Sequence, residues 1–287
     1  MRLTEYDDIS ELIAVAFVVI FGMVVWATVA EQRLAAFTQD PAAARAQTIA
    51  RRTATRAMLR TLLTQARPPK PLITTGWLVC AAGLAALTVT VLTGATRHLD
   101  ARTLPWFTVL DTHGIGHVTA RVLVMGGQFW LVGSLAVALA VWRGVQARNA
   151  RPVLVTSAAM VLMSVTLLLM KVLVGRTAPR AGENTVLVGG LSYPSGHAAT
   201  AAVCLVLAAA LLTGPHRTKR RRSLLAATAA AGVVGVCTAV LGYHWVTDVA
   251  GGWAAGALIA IPAVRWLDHP TGTRPRASTA PPPAKDA

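Results

Sequence analysis

The sequence predicts an all-α fold, a multi-pass bundle of transmembrane helices, and three observations carry that prediction. Of 287 residues 54% are hydrophobic and only 14% charged, with a mean hydropathy of +0.55. A soluble domain usually carries about 25% charged residues. Seven stretches contain no Asp, Glu, Lys or Arg, and the charges between them are distributed unequally over alternate connections. Soluble folds are excluded.

The elements follow in chain order. A membrane-spanning helix needs about 17–25 apolar residues. Leu12–Ala30, Leu72–Ala95, Val122–Trp142, Val153–Met170 and Leu224–Tyr243 meet that length outright. Ala198–Thr213 and Val249–Val264, at 16 residues each, must draw flanking polar residues into the span. Residues 1–31 are read as an N-terminal transmembrane helix. Thr28-Val29-Ala30 resembles a signal-peptidase site, but Glu5, Asp7, Asp8 and Glu11 precede the apolar run where a signal peptide is basic. Residues 32–71 mix Arg with Ile49, Met58, Leu59, Leu62 and Leu63, and read as a basic amphipathic segment on the inner membrane surface. Residues 72–264 form a six-helix membrane core. Residues 265–287, with Pro281-Pro282-Pro283, read as a disordered cytoplasmic tail. Cys80, Cys204 and Cys237 lie inside apolar runs and make neither a disulfide framework nor a zinc site.

Charge orients the bundle. The connections on one side hold 20 of the 27 Lys and Arg and only 4 acidic residues; the other side holds 7 basic and 8 acidic residues. Lys and Arg are retained in the cytoplasm during insertion, which places the N-terminus outside and the C-terminus in the cytoplasm of a plasma-membrane protein. The net charge of +15 is thus a topology signal and does not point to nucleic acid. The run His216-Arg217-Thr218-Lys219-Arg220-Arg221-Arg222 reads as an anchor beside anionic headgroups.

Chemistry gathers on the outward side in three clusters. Lys171-Val172-Leu173-Val174-Gly175-Arg176-Thr177-Ala178-Pro179-Arg180 closes one helix. Tyr193-Pro194-Ser195-Gly196-His197 opens the next, with a cap at Ser195 and a close-approach residue at Gly196. The amides freed at such a helix start favour an anion, and His197 stands beside it. Gly242-Tyr243-His244-Trp245-Val246-Thr247-Asp248 is the third cluster. If its turn is helical, His244 and Asp248 share a face, and the carboxylate holds one imidazole nitrogen while freeing the other. Each cluster alone is compatible with a capped helix or a structural His–Asp pair. Their convergence describes phosphoryl transfer through a phosphohistidine. His113 and His117, in a Gly-rich setting, read as a loop at the membrane surface. Residues 98–121, with Pro105, Trp106 and Phe107, read as an interfacial lip, and Gly252-x-x-x-Gly256 as a helix-packing motif.

The order Lys…Pro, then Pro-Ser-Gly-His, then His-x-x-x-Asp resembles the type 2 phosphatidic acid phosphatase superfamily, integral membrane branch, over about residues 72–264. The resemblance implies a membrane lipid phosphatase with a six-helix core. Its substrate would be a lipid phosphomonoester or diphosphate: phosphatidic acid, phosphatidylglycerol phosphate, diacylglycerol pyrophosphate or a polyprenyl phosphate. It implies His244 as nucleophile, Asp248 as its orienting partner and His197 as acid and base. Lys171, Arg176, Ser195 and Gly196 would hold the phosphoryl group, with no metal or other cofactor. Two departures stand out. The family's first motif is Lys, six residues, then Arg-Pro, and Ala178 occupies the Arg position before Pro179. Its third is Ser-Arg, five residues, then His, and Cys237-Thr238 occupy that pair. Arg176, with Arg180 as a second source, is expected to restore the missing charge. The competing expectation is a weakened or inactive phospholipid-binding protein of the same fold. A transporter or scramblase would instead place ionisable groups near the bilayer midplane.

Overall fold

The computed structural model describes residues 71–108, 114–213 and 217–268. The expected N-terminal helix, nearly all of the basic amphipathic segment and the tail beyond Asp268 lie outside the described residues. Among the described residues eight α-helices follow one another: α1 (Pro71–Leu92), α2 (Arg97–Thr108), α3 (Ile115–Val124), α4 (Ser134–Ala147), α5 (Arg151–Val174), α6 (Gly196–Thr213), α7 (Arg217–Val240) and α8 (Val246–Asp268). Among the described residues six stretches are long and apolar enough to cross a membrane: Thr74–Leu92, Phe129–Ala147, Arg151–Ala181, Gly196–Thr213, Thr218–Val240 and Val246–Asp268. Both short apolar runs recruit polar ends, as their lengths require: α6 begins at Gly196, and α8 extends from Val246 to Asp268. Residues 265–268, expected in the tail, are therefore the last turn of α8.

The bundle is apolar on the outside, as a lipid solvent permits. Leu78, Val79, Val172, Leu173 and Leu225 are exposed. Inside, α4, α5, α6 and α8 share a core around Phe129, Met160, Met163, Leu207 and Ile259. Without a hydrophobic force between helices in lipid, close backbone approach and dispersion hold the bundle together. Gly252 and Gly256 provide that approach between α8 and α6. A Cβ on Gly252 would lie 2.5 Å from the Ser195 carbonyl oxygen, and one on Gly256 2.7 Å from the Ala202 Cβ. Helix α1 is peripheral and is tied to α8 by the Trp77 indole N–H donating to the Leu258 carbonyl (3.0 Å).

Two expectations are corrected. The apolar run Val122–Trp142 is not one continuous helix. Helix α3 ends at Val124, a 3₁₀ turn covers Met125–Gly127, Gln128 is extended, and a π-helical turn, Phe129–Gly133, leads into α4. The break has a packing reason, since a Cβ on Gly127 would sit 2.7 Å from the His197 carbonyl oxygen and 2.8 Å from its Cβ. His117, read as part of a surface loop, lies on α3 instead; His113 is outside the described residues.

Arginines organise the end of the bundle where α4, α6 and α8 terminate and α5 and α7 begin. Arg143 donates to the carbonyls of Leu211 and Leu212, and Arg220 to that of Ala210. Arg151 reaches the Trp266 carbonyl, and Arg220 pairs with Asp268 at 2.5 Å. These bonds satisfy carbonyls that a helix C-terminus leaves open. Arg220, expected in the headgroup anchor, is thus turned inward and buried.

Candidate active site

The opposite end carries the chemistry. Gly175 adopts the left-handed conformation (φ 57) at the end of α5, where its N–H bonds the Lys171 carbonyl. The chain then folds back on itself. Ser192 N–H donates to the Arg176 carbonyl and Leu187 N–H to that of Val174. A Cβ on Gly190 would lie 2.2 Å from the Arg176 carbonyl oxygen, so only glycine fits there. This folded loop delivers Tyr193-Pro194-Ser195 to the start of α6. Tyr193 is fully buried, its hydroxyl 2.9 Å from Thr88 Oγ1 on α1 and its ring against Gly251 on α8.

Ser195 is fully buried and joins two helices. Its N–H donates to the Asp248 carbonyl at 2.9 Å, and its hydroxyl oxygen accepts from the Ala198 N–H at 3.4 Å. The amides of Gly196 and His197 complete the first turn of α6. Lys171 Nζ lies 4.0 Å from where a Cβ on Gly196 would stand, which sets the ammonium over that turn. His197 is close enough to both His244 and Lys171 for their charges to act on it. Its Nε2 is buried without a hydrogen-bond partner. A buried polar atom left open costs about 1–3 kcal/mol, the signature of a site that a ligand or water oxygen completes.

His244 lies in the turn before α8, not in a helical turn with Asp248. Its Nδ1 is 3.7 Å from Asp248 Oδ2, beyond hydrogen-bond reach. Ser192, which no motif singled out, bridges the gap. Its hydroxyl donates to Asp248 Oδ2 at 2.6 Å and lies 3.3 Å from His244 Nδ1. A carboxylate only accepts, so the serine proton is committed to Asp248 and its lone pair faces Nδ1. Nδ1 therefore carries a hydrogen, and Nε2 carries the free lone pair. Asp248 is fully buried and also accepts from the Trp245 N–H at 3.0 Å, capping α8.

Arg176, expected to hold phosphate, is placed otherwise. It is 1% exposed and committed on nearly every side. Nε donates to Asn184 Oδ1 at 3.0 Å, Nη1 to Thr247 Oγ1 at 2.7 Å and to Asp248 Oδ1 at 2.5 Å, and Nη2 to Asp100 Oδ2 at 2.5 Å. Four of five N–H groups are spent, and the guanidinium sits behind Asp248. Arg180 is exposed at the rim instead. Its Cζ stacks 4.3 Å from the Tyr243 ring centroid, and Nη2 donates to the Leu241 carbonyl at 2.9 Å, on the turn that carries His244. Thr238, at one missing-arginine position, is fully buried with its hydroxyl on the Gly235 carbonyl. Asp100, from α2, had no sequence signal at all: it sits in no motif, and its partners lie 76 and 147 residues away.

Residues 76–271 match the PAP2 superfamily, well over half of the chain. The protein belongs to the PAP2 superfamily. Among solved structures, this PAP2 chain is similar to a transmembrane PAP2-type phosphatidylglycerolphosphate phosphatase from Bacillus subtilis. The TM-score is 0.53 and the identity 21%, over 65% of this chain and 93% of the other. No curated protein matches it. The fold is that of a multi-pass membrane phosphatase, and the six-helix core with its three motif clusters at one end is the PAP2 part of the chain.

Proposed function

We propose that this PAP2 protein is a lipid phosphatase that hydrolyses a phosphomonoester or diphosphate on a membrane lipid through a phosphohistidine. The observation that carries the reading is the nearness of two differently held imidazoles, with the Lys171 ammonium beside the second. His244 has its Nδ1 proton fixed by the Ser192–Asp248 pair, and His197 has a buried Nε2 with nothing to bond.

The steps follow from that geometry. Lys171, the amides of Gly196 and His197 and the Ser195 hydroxyl proton hold the phosphoryl oxygens, aided by the positive end of α6. His244 Nε2 attacks phosphorus in line, and the bond to the lipid oxygen breaks as His197 donates a proton to that oxygen. The lipid alcohol leaves (from a diphosphate, the lipid monophosphate), and Asp248, through Ser192, steadies the phosphorylated imidazolium. His197, now neutral, takes a proton from water, which attacks the phosphohistidine. Inorganic phosphate departs with His244 restored.

Arg180, beside Tyr243, supplies the cation that Ala178 and Thr238 do not. It is held on the turn that carries His244, and its remaining guanidinium N–H groups suit the charge of a phosphate headgroup. Apolar side chains border this end: Trp106 is 80% exposed, Ile115 88% and Leu187 71%. Such a border suits a substrate that arrives from lipid. The charge asymmetry of the chain supports an outward placement of this end, with the substrate drawn from the outer leaflet of the plasma membrane.

The second reading, a phospholipid binder without turnover, is favoured only by Ala178 and Thr238. Phosphate release decides between them. Purified protein should liberate phosphate from dioleoyl phosphatidic acid in detergent and continue in the presence of chelator. His244→Ala and His197→Ala should abolish release; variants as active as the parent would refute the mechanism.

A further inference from the structure

The buried charge behind Asp248 extends further than the orientation of one imidazole requires. Asp100 accepts from Arg176 Nη2 at 2.5 Å and from the Thr247 hydroxyl at 2.9 and 2.8 Å through its two oxygens, and Oδ1 also accepts from the Thr247 N–H at 3.2 Å. The side chains of Asp100, Arg176 and Asp248 are 0%, 1% and 0% exposed. Burying three charges is costly even when they are paired, and a purely structural clamp is as well made from apolar groups. The arrangement carboxylate–guanidinium–carboxylate leaves one net negative charge, on the far side of Ser192 from His244.

We propose that Asp100 and Arg176 are positioning residues for phosphoryl transfer: they lock Asp248 and set how much of its negative charge reaches His244. This rests on the function proposed above. Arg176 alone would neutralise Asp248 and weaken its hold on the imidazolium. Asp100 alone would repel Asp248 and break the geometry. Only the pair keeps Asp248 fixed and anionic in effect. The other polar and titratable groups around the site are Ser192, which touches His244, His197 from α6, Lys171 from α5, which acts on His197, and Arg180 with Tyr243 at the rim. None of them changes in the test.

The test compares Asp100→Asn, Arg176→Gln and the double variant in the full-length protein in detergent, with phosphate release from dioleoyl phosphatidic acid followed across pH. Each single variant should lower kcat by about tenfold or more, as loss of a residue supporting a catalytic ligand does, with KM within about twofold. The acid limb of kcat/KM reports His244 losing its proton. Asp100→Asn removes an anion and should move that limb to lower pH. Arg176→Gln removes a cation and should move it to higher pH. The double variant restores the parent's net charge of one negative around Asp248, whose carboxylate keeps the Ser192 hydroxyl and the Trp245 N–H, and should return the limb to the parent position. Limbs that stay put, that move together in both single variants, or a shifted double variant would overturn the proposal. A parent protein that releases no phosphate instead refutes the proposed function. The titration of the His244 ring, followed by NMR on isotopically labelled histidine, then decides the present proposal by the same opposite shifts.

Discussion

At the scale of single residues, the proposed mechanism separates groups that touch phosphate from groups that act through another. Ser192 belongs to the second kind. It converts a 3.7 Å separation between His244 and Asp248 into two usable bonds. A bond to a charged group is worth about 1.5–3 kcal/mol, so Ser192→Ala should lower kcat by about ten- to a hundredfold and leave KM nearly unchanged. Steady-state kinetics on the lipid substrate checks this; a raised KM at unchanged kcat would assign Ser192 to binding instead. Arg180 belongs to the first kind. Arg180→Ala should raise KM by about tenfold, or about 1.4 kcal/mol of binding, whereas Arg121→Ala on α3 should leave it unmoved. Equal effects would deprive Arg180 of its part. The motif residues that the fold brings to one end were legible in sequence, because Pro-Ser-Gly-His and His-x-x-x-Asp keep residue type and spacing together. Asp100, Ser192 and the true surroundings of Arg176 were not. Their meaning arises from contacts across 52 to 147 residues, and nothing local marks them.

At the scale of elements, charge-free runs located the helices because lipid tolerates few unpaired charges. The boundaries failed where backbone packing intervened. Gly126-Gly127 and Gln128 interrupt the third span since the chain must pass against His197, a constraint invisible to hydropathy. Glycines also govern how α8 meets α6. Gly256→Ala would press a methyl onto the Ala202 Cβ at 2.7 Å and the Ala199 carbonyl at 2.9 Å. Overpacking of this kind costs about 1–3 kcal/mol. Gly232→Ala on α7 meets no atom within 4 Å and should stabilise its helix by about 0.5–1 kcal/mol. Thermal unfolding in detergent should therefore show a lowered Tm for the first variant and an unchanged or raised Tm for the second. The reverse order would contradict the packing described for α6 and α8.

At the scale of the whole molecule, the two ends of the bundle have different chemistry. One binds helix C-termini with Arg143, Arg151 and Arg220; the other gathers His197, His244, Lys171 and the buried Asp100–Arg176–Asp248 chain. The first end should face the cytoplasm. With the three native cysteines replaced, Glu183→Cys should react with a membrane-impermeant thiol reagent on intact cells and Lys219→Cys only after lysis; the opposite pattern would invert the topology. On the proposed mechanism, the intermediate that the whole arrangement makes is a phosphorylated His244. Brief exposure of the purified protein to phosphatidic acid radiolabelled in its phosphate, quenched in base, should leave a label on the protein that acid removes. His244→Ala should carry none. Label that persists in that variant, or turnover by the parent protein with no base-stable label under any quench, would contradict the account at its centre.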